Sequence, residues 1–400
     1  MIIELIIAIF LGIIIGTITG LIPGIHINLV GSILLLSSTY LLTIVSPISL
    51  VCFIIAVAIT HTFVDFIPSI LLGAPNEDSI LSVLPGHRLL LVGKGYEAVL
   101  SSLEGALTGI ILFIIITPFF IFFLKQIYPL FQRIMGLILI ISVLYLIYCE
   151  NKKILASIIF LLSGFLGIAV LNLNLNEPLL PMLSGLFGAS GIIISFNEKT
   201  KIPKQTILIK QNKYDKISFL KNIITSLVSS PLPAFLPGMG SSQAALIGTQ
   251  INGKSTEKDF LFLIGSINII VMSLSFITLF SINKIRTGAS NSVSKLIPTL
   301  TNNDLYIIIT TIILVGLISY FLSKYLLYIF INLIDKINYS KISLIVLFLL
   351  FIFTIIFSGF IGLLVFLVST SLGIYCILSN VKRTILMGCL LIPTILFYIL

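Results

Sequence analysis

Apolar runs long enough to cross a bilayer follow one another along most of this chain. A spanning helix needs about 20 mostly apolar residues. That ruler marks runs near 3–20, 27–46, 48–71, 98–124, 130–148, 154–171 and 179–196. Further runs lie near 218–236, 241–251, 259–282, 304–333, 342–357, 359–378 and 384–400. Some, 241–251 above all, are too short to cross alone. The pattern predicts ten to twelve full crossings with broken or re-entrant pieces between them. Only 9% of the 400 residues are charged and 58% are hydrophobic. A soluble domain carries about 25% charged residues, because a globule needs a polar shell that a lipid-facing protein does not. The expected fold class is an all-α polytopic membrane protein, a multi-pass integral protein of the cell (cytoplasmic) membrane.

The net charge of +9 does not point to nucleic acid. Basic residues fill short gaps between apolar runs and are densest from Phe196 to Lys221, where Lys199, Lys201, Lys204, Lys210, Lys213, Lys216 and Lys221 face only Glu198 and Asp215. The lysine and arginine bias of cytoplasmic loops puts this stretch inside the cell. It reads as a linker at 196–217 between a first membrane unit, 1–195, and a second, 218–400. By the same bias the Lys152–Lys153 gap is internal, and the gap around Asn172–Glu177, without lysine or arginine, is external. Met1-Ile2-Ile3-Glu4 lacks the basic region of a cleavable leader, so the first run reads as a retained membrane helix. Cys52, Cys149, Cys376 and Cys389 share no metal-like spacing and read as small buried hydrophobes. No Walker-type loop, HExxH pair or Gly-x-Ser-x-Gly elbow occurs, so neither a metal nor an organic cofactor is expected.

The two units echo each other. Gly20-Leu21-Ile22-Pro23-Gly24-Ile25-His26 in the first answers Phe235-Leu236-Pro237-Gly238-Met239-Gly240 in the second. Some fifty residues after each Pro-Gly, Gly73-Ala74-Pro75-Asn76 answers Gly288-Ala289-Ser290-Asn291. A third pair is Ser163-Gly164-Phe165-Leu166-Gly167 and Ser358-Gly359-Phe360-Ile361-Gly362. Three matches in one order predict a duplicated fold, inverted as duplicated transporters often are.

Pro-Gly inside an apolar run breaks a helix, since proline removes a donor and glycine frees the backbone. Irregular backbone at membrane depth survives where it lines a cavity, and matched breaks in two halves point to a transporter's binding site. Pro23, Gly24, His26 and Asn28 mark the first such break. Pro237, Gly238, Gly240, Ser241, Ser242 and Gln243 mark the second. Each break is expected to run into a helix whose free N-terminal amides suit an anion. Gly73, Ala74 and Asn76, with Gly288, Ser290 and Asn291, read as tips of two hairpins that meet these breaks; the bland alternative is an ordinary turn. His61 and Asp65, one helical turn apart, are ionisable groups in an apolar run and so candidates for ion coupling, with His26 a second. The alternative for the pair is an interfacial helix end. His87 and Arg88, after Pro85-Gly86, read as solvent or head-group contacts.

The chain resembles the large permease of tripartite tricarboxylate transporters, the TctA type, over essentially its whole length. The resemblance rests on Gly20-Leu21-Ile22-Pro23-Gly24, Leu72-Gly73-Ala74-Pro75, Pro85-Gly86-His87-Arg88-Leu89-Leu90-Leu91-Val92-Gly93-Lys94-Gly95, Leu180-Pro181-Met182-Leu183-Ser184-Gly185-Leu186-Phe187-Gly188, Leu236-Pro237-Gly238-Met239-Gly240 and the 381–393 block. His26-Ile27-Asn28 replaces the glycine-rich sequence of bacterial members, which is closer to the archaeal branch. The resemblance implies a secondary-active permease for a small organic anion, a di- or tricarboxylate, coupled to a sodium or proton gradient. It also implies a small membrane subunit and an extracytoplasmic binding protein as partners, besides membrane lipid, and leaves a homo-oligomer open. The competing readings are a carrier of a phosphate-containing or lipid-linked anion, and an intramembrane lipid-modifying enzyme using His61, Asp65 and His26 as acid and base.

Overall fold

A computed structural model describes residues 2–22, 27–73, 82–148, 150–175, 177–197, 203–207, 215–235, 240–252, 255–334 and 339–399. The first unit contains α1 (Ile2–Leu21), α2 (Ile27–Leu41), α3 (Pro47–Val64), α4 (Phe66–Leu71), α5 (Val83–Leu91), α6 (Gly95–Tyr148), α7 (Lys153–Leu171), α8 (Leu179–Leu183) and α9 (Ser190–Asn197). A π-helical turn over Ser184–Ala189 joins the last two. The second unit contains α10 (Lys216–Ser229), α11 (Pro231–Phe235), α12 (Ser241–Asn252), α13 (Glu257–Ile282), α14 (Gly288–Leu296), α15 (Asn302–Ile334) and α16 (Tyr339–Leu378). A 3₁₀ turn over Arg383–Met387 then leads into α17 (Gly388–Ile399). No strand occurs among the described residues. In hydrocarbon every backbone polar group must be satisfied within its own segment, which helices do.

Seven stretches among the described residues are long and apolar enough to cross a membrane: Ile2–Leu21, Pro47–Leu71, Gly95–Leu130, Lys153–Leu171, Glu257–Ile282, Asn302–Leu333 and Leu344–Leu378. Three shorter apolar helices, Gln132–Tyr148, Leu179–Ile194 and Arg383–Ile399, accompany them. The protein is a multi-pass integral membrane protein. Some boundaries differ from the sequence ruler. The runs at 98–124 and 130–148 join into one helix, α6, which carries Pro118 and Pro129 inside it. The run at 218–236 instead divides at Ser230, where Pro231 opens a new helix, as proline does well at a first position. In α16, Gly359 takes φ 65°, ψ −164° and kinks the helix between the two expected runs.

Polar content decides which helices go inside. Pro47–Leu71 and Glu257–Ile282 have 94% and 89% of their spans buried, against 17% for α1 and 22% for Leu344–Leu378. Helix α13 carries Ser266, Asn268, Ser273, Ser275 and Thr278, all buried; facing lipid, Asn268 would lose the Ser241 hydroxyl and Ser275 that of Thr287. The α6–α13 crossing is close because it is lined with glycine. A Cβ on Gly105 would sit 2.0 Å from the Phe262 carbonyl oxygen, and one on Gly265 would sit 2.0 Å from that of Ser102. Small residues give membrane helices such close contact. Below the crossing, a capping box of Thr256 and Asp259 starts α13, and Asn222 of α10 donates to Asp259 Oδ1 at 2.8 Å.

Packing is exchanged between the units. Helix α13 packs on α6 and α3 on α15, with Thr60 Oγ1 2.9 Å from Ser319 Oγ and Thr311 donating to Cys52 Sγ at 3.4 Å. Helix α7 packs on α17, while α16 packs on α8, the π-turn and α9. Cys52, Cys376 and Cys389 are buried, as small hydrophobes are; Cys149 lies outside the described residues. The third sequence echo does not mark equivalent places. Ser163 and Gly164 sit within α7 against α17, whereas Ser358 lies at the α16 kink and donates to Glu177 O at 2.9 Å. On α16 it is Gly373 that meets the π-turn region, at Leu186 and Ser190.

Candidate functional site

Helices begin a few residues after both Pro-Gly dipeptides. Pro23, Gly24 and His26 lie outside the described residues, and α2 starts at Ile27. Pro237 and Gly238 lie outside them too, and after Gly240 the helix α12 starts at Ser241. Asn28 and Gln243 fall in the first turns of α2 and α12, where only the backbone is described. Ser241 and Ser242 are fully buried, and Ser241 Oγ donates to Asn268 Oδ1 of α13 at 3.2 Å. Sequence reasoning passed over Asn268; a lone amide in the most apolar part of a helix was the signal.

Of the two hairpin tips, Gly73 is described and takes φ 68° after α4, while Ala74 and Asn76 lie outside the described residues. The second tip is complete. Thr287 and Ser290 form a capping box on α14: Ser290 N donates to Thr287 Oγ1 at 3.1 Å and Thr287 N to Ser290 Oγ at 3.0 Å. The Ser290 hydroxyl is thus engaged in starting the helix, a cap that stabilises it by about 1 kcal/mol. Gly288 and Asn291 occupy its first turn. This tip meets the helix of the first break: a Cβ on Gly31 of α2 would sit 2.3 Å from Ser292 Oγ and 3.8 Å from Gly288 O. The tip of one unit thereby reaches the break helix of the other.

His61 and Asp65 are both buried inside the bundle. His61 Nδ1 lies 3.1 Å from Thr19 Oγ1 of α1, and Asp65, at the α3–α4 junction, accepts from Ser69 Oγ at 3.2 Å. His87, in α5, is half-buried, whereas Arg88 is exposed and pairs with Glu257 at 3.5 Å. Burial, with the nearby Arg383 charge, holds the His87 imidazole below its usual range, so it is neutral near pH 7.

Four charged groups inside or beside the bundle were not singled out from sequence. Glu97 is buried and ion-paired with Lys258, tying the start of α6 to that of α13. Glu104, two turns further into α6, lies within electrostatic reach of Tyr96 and Tyr320. It sits in the 98–124 run, so the rule that drew attention to His61 applies to it equally.

The other two are arginines. Arg286, between α13 and α14, donates from Nε to Ala234 O at 3.0 Å and from Nη2 to Pro233 O at 2.6 Å, the closing carbonyls of α11 just before the second break. Burial pushes it down to about 10, with Tyr398 and Tyr128 acting in the opposite direction, so it remains a cation at neutral pH. Arg383 donates from Nη2 to the Phe187 carbonyl of the π-turn and to Ser190 Oγ at 3.2 Å. Among the described residues neither arginine is ion-paired with a carboxylate. Nor do these residues hold a cluster suited to a metal ion.

Known proteins agree with this picture. The profile of the tripartite tricarboxylate transporter TctA family matches residues 6–388. An uncharacterized protein of Methanocaldococcus jannaschii is 30% identical over 360 residues, covering 87% of this chain and 88% of its own. No solved structure matches the chain. An all-helical membrane bundle with broken helices, matched by that profile over nearly its whole length, belongs to the tripartite tricarboxylate transporter TctA family.

Proposed function

We propose that this chain is the membrane permease of a secondary transporter that moves a small di- or tricarboxylate, driven by a sodium or proton gradient. The observation that carries the reading is Arg286. A half-buried cation beside the second Pro-Gly, with no acid paired to it among the described residues, creates a positive potential that a carboxylate neutralises. The polar start of α12 at Ser241 and Ser242 and the α14–α2 contact lie on segments flanking the two breaks, which supports a shared pathway between the units. His61, Asp65 and Glu104 are the candidate groups for ion coupling. Carrier chemistry suits them better than catalysis, since His61 and Asp65 are held by different neighbours, Thr19 and Ser69.

The reciprocal packing supports the inverted duplication. Helix α4 ends beside the start of α6, where a Cβ on Gly95 would meet Leu71, and the start of α6 pairs with that of α13 through Glu97 and Lys258. The first central helix therefore ends at the level where the second begins, as inversion requires. In this reading a small membrane subunit and an extracytoplasmic binding protein deliver substrate to the side opposite the 196–217 linker.

The test is uptake of labelled succinate and citrate into proteoliposomes containing the purified chain, alone and with its partner subunits, under imposed sodium or proton gradients. Gradient-dependent uptake that phosphate esters do not compete away is the expected result. Uptake of a labelled phosphate ester, without carboxylate uptake, would assign the carrier to a phosphate-containing anion instead.

A further inference from the structure

We propose that Arg383 and His87, with the π-turn Ser184–Ala189, form a second anion-binding station at the end of the bundle opposite Arg286, and that it takes a carboxylate of the transported acid. The proposal rests on the permease reading above.

Three segments distant in sequence build this place. The π-turn comes from the first unit, His87 from the short helix α5, and Arg383 from the start of the second unit's last helical segment. A π-turn shifts backbone hydrogen bonding by one residue, and such turns collect at functional sites. Here the Phe187 carbonyl accepts from Arg383 Nη2, and the guanidinium lies 5.7 Å from the centre of the Phe187 ring. Ser190 Oγ takes a second bond from the same nitrogen. One face of the fork is thereby held in place.

The other face is not. Arg383 Nε is cut off from solvent and has no hydrogen-bond partner. An orphaned donor on a buried cation is costly, and membrane proteins retain buried charges mostly for function. A bound carboxylate would accept from Nε and supply the missing negative charge, the planar recognition to which arginine is suited. His87, close enough to feel the Arg383 charge, is placed to give a neutral N–H or to accept a proton from a bound acid.

Position gives this station its role. Arg383 begins the segment that continues into α17, and Tyr398, at the far end of α17, lies in the electrostatic reach of Arg286. Fifteen residues of mostly helical rise put Tyr398, beside Arg286, about 22 Å from Arg383 along that axis. Lys152 Nζ donates to Ser379 O and Lys382 pairs with Glu150, so Arg383 stands at the lysine-bearing end of the bundle. One carboxylate-seeking cation thus stands toward each face.

Transport measured separately in right-side-out and inside-out vesicles tests the assignment. Arg383→Gln should raise KM for succinate about tenfold or more when it is offered from the linker side, and change KM from the opposite side by less than twofold. Gly191→Ala, whose Cβ would sit 3.2 Å from Arg383 Nη1, should give a smaller shift of the same sidedness without removing the charge; it serves if Arg383→Gln fails to insert. Equal shifts from both sides, or none, overturn the proposal. If the wild type carries no dicarboxylate, the permease reading falls. The station is then judged by thermal stabilisation of the solubilised chain with succinate or inorganic phosphate. A stabilisation that Arg383→Gln loses and Gly191→Ala weakens supports an anion site, and equal behaviour of all three proteins overturns it.

Discussion

The buried ion pair of Glu97 with Lys258 behaves differently from the two solitary arginines, and the difference is chemical. Glu97 is almost wholly buried and has its cation at hand, whereas Arg286 and Arg383 are satisfied by carbonyl and hydroxyl oxygens. Lys258→Met should therefore destabilise the fold by roughly 2–4 kcal/mol, because it strands a carboxylate, somewhat less than for a fully buried pair since Lys258 is one-third exposed. The double variant Glu97→Gln with Lys258→Met should recover most of that loss, read as the melting temperature in detergent. Arg286→Lys keeps a charge but cannot span two carbonyls. It should cut succinate uptake about tenfold or more, while melting close to the wild type; unchanged uptake would remove Arg286 from the pathway.

At the scale of elements, glycines separate packing from backbone geometry. Gly105 and Gly265 face carbonyl oxygens that cannot give way, so Gly105→Ala should force α6 and α13 apart. A loss of at least about 3 kcal/mol is expected, as for severe overpacking. At Gly359 a Cβ meets nothing within 4 Å, and only the φ of 65° opposes it. With ψ at −164° the backbone is in a region nearly closed to other residues, and Gly359→Ala should cost about 1–3 kcal/mol. A denaturation series that ranked these two the other way would contradict the α6–α13 crossing. Elements were partly legible beforehand. The breaks at 23–24 and 237–238 announce helices starting beyond them, because proline and glycine act locally. The union of two apolar runs into α6 was not legible, because whether a helix passes through Pro129 depends on neighbours that re-satisfy the freed carbonyl.

For the whole molecule, the contacts set which loops share a face. Lys152 reaches Ser379, and Gln205 bonds to Leu90 O and Gly95 N, whereas Glu177 meets Ser358. The α16 segment runs from Ser358 past the π-turn to Ser379, so 150–153 and 379–382 lie at one end and 172–177 at the other. Cysteines introduced at Asn151 and Ser379 should label with impermeant thiol reagents only from the linker side, and one at Asn172 only from the opposite side. Labelling of all three from one side would overturn this arrangement.

What the sequence determined by itself was the solvent. Long apolar runs with few charges admit no fold but a helical bundle in lipid, because each helix satisfies its own backbone. The helix starts at Ile27 and Ser241 and the family's motifs were readable for the same reason, being carried by neighbouring residues. Tertiary structure decided which helices lie at the centre, that His87 is half-buried while Arg88 is exposed, and that Arg286 and Arg383 are held by carbonyls rather than by acids. Those facts depend on contacts between residues far apart in sequence, such as Arg383 with Phe187 or Gly31 with Ser292. No local pattern encodes them, since in a membrane nearly every helix is apolar and close packing rather than hydrophobicity selects its partner.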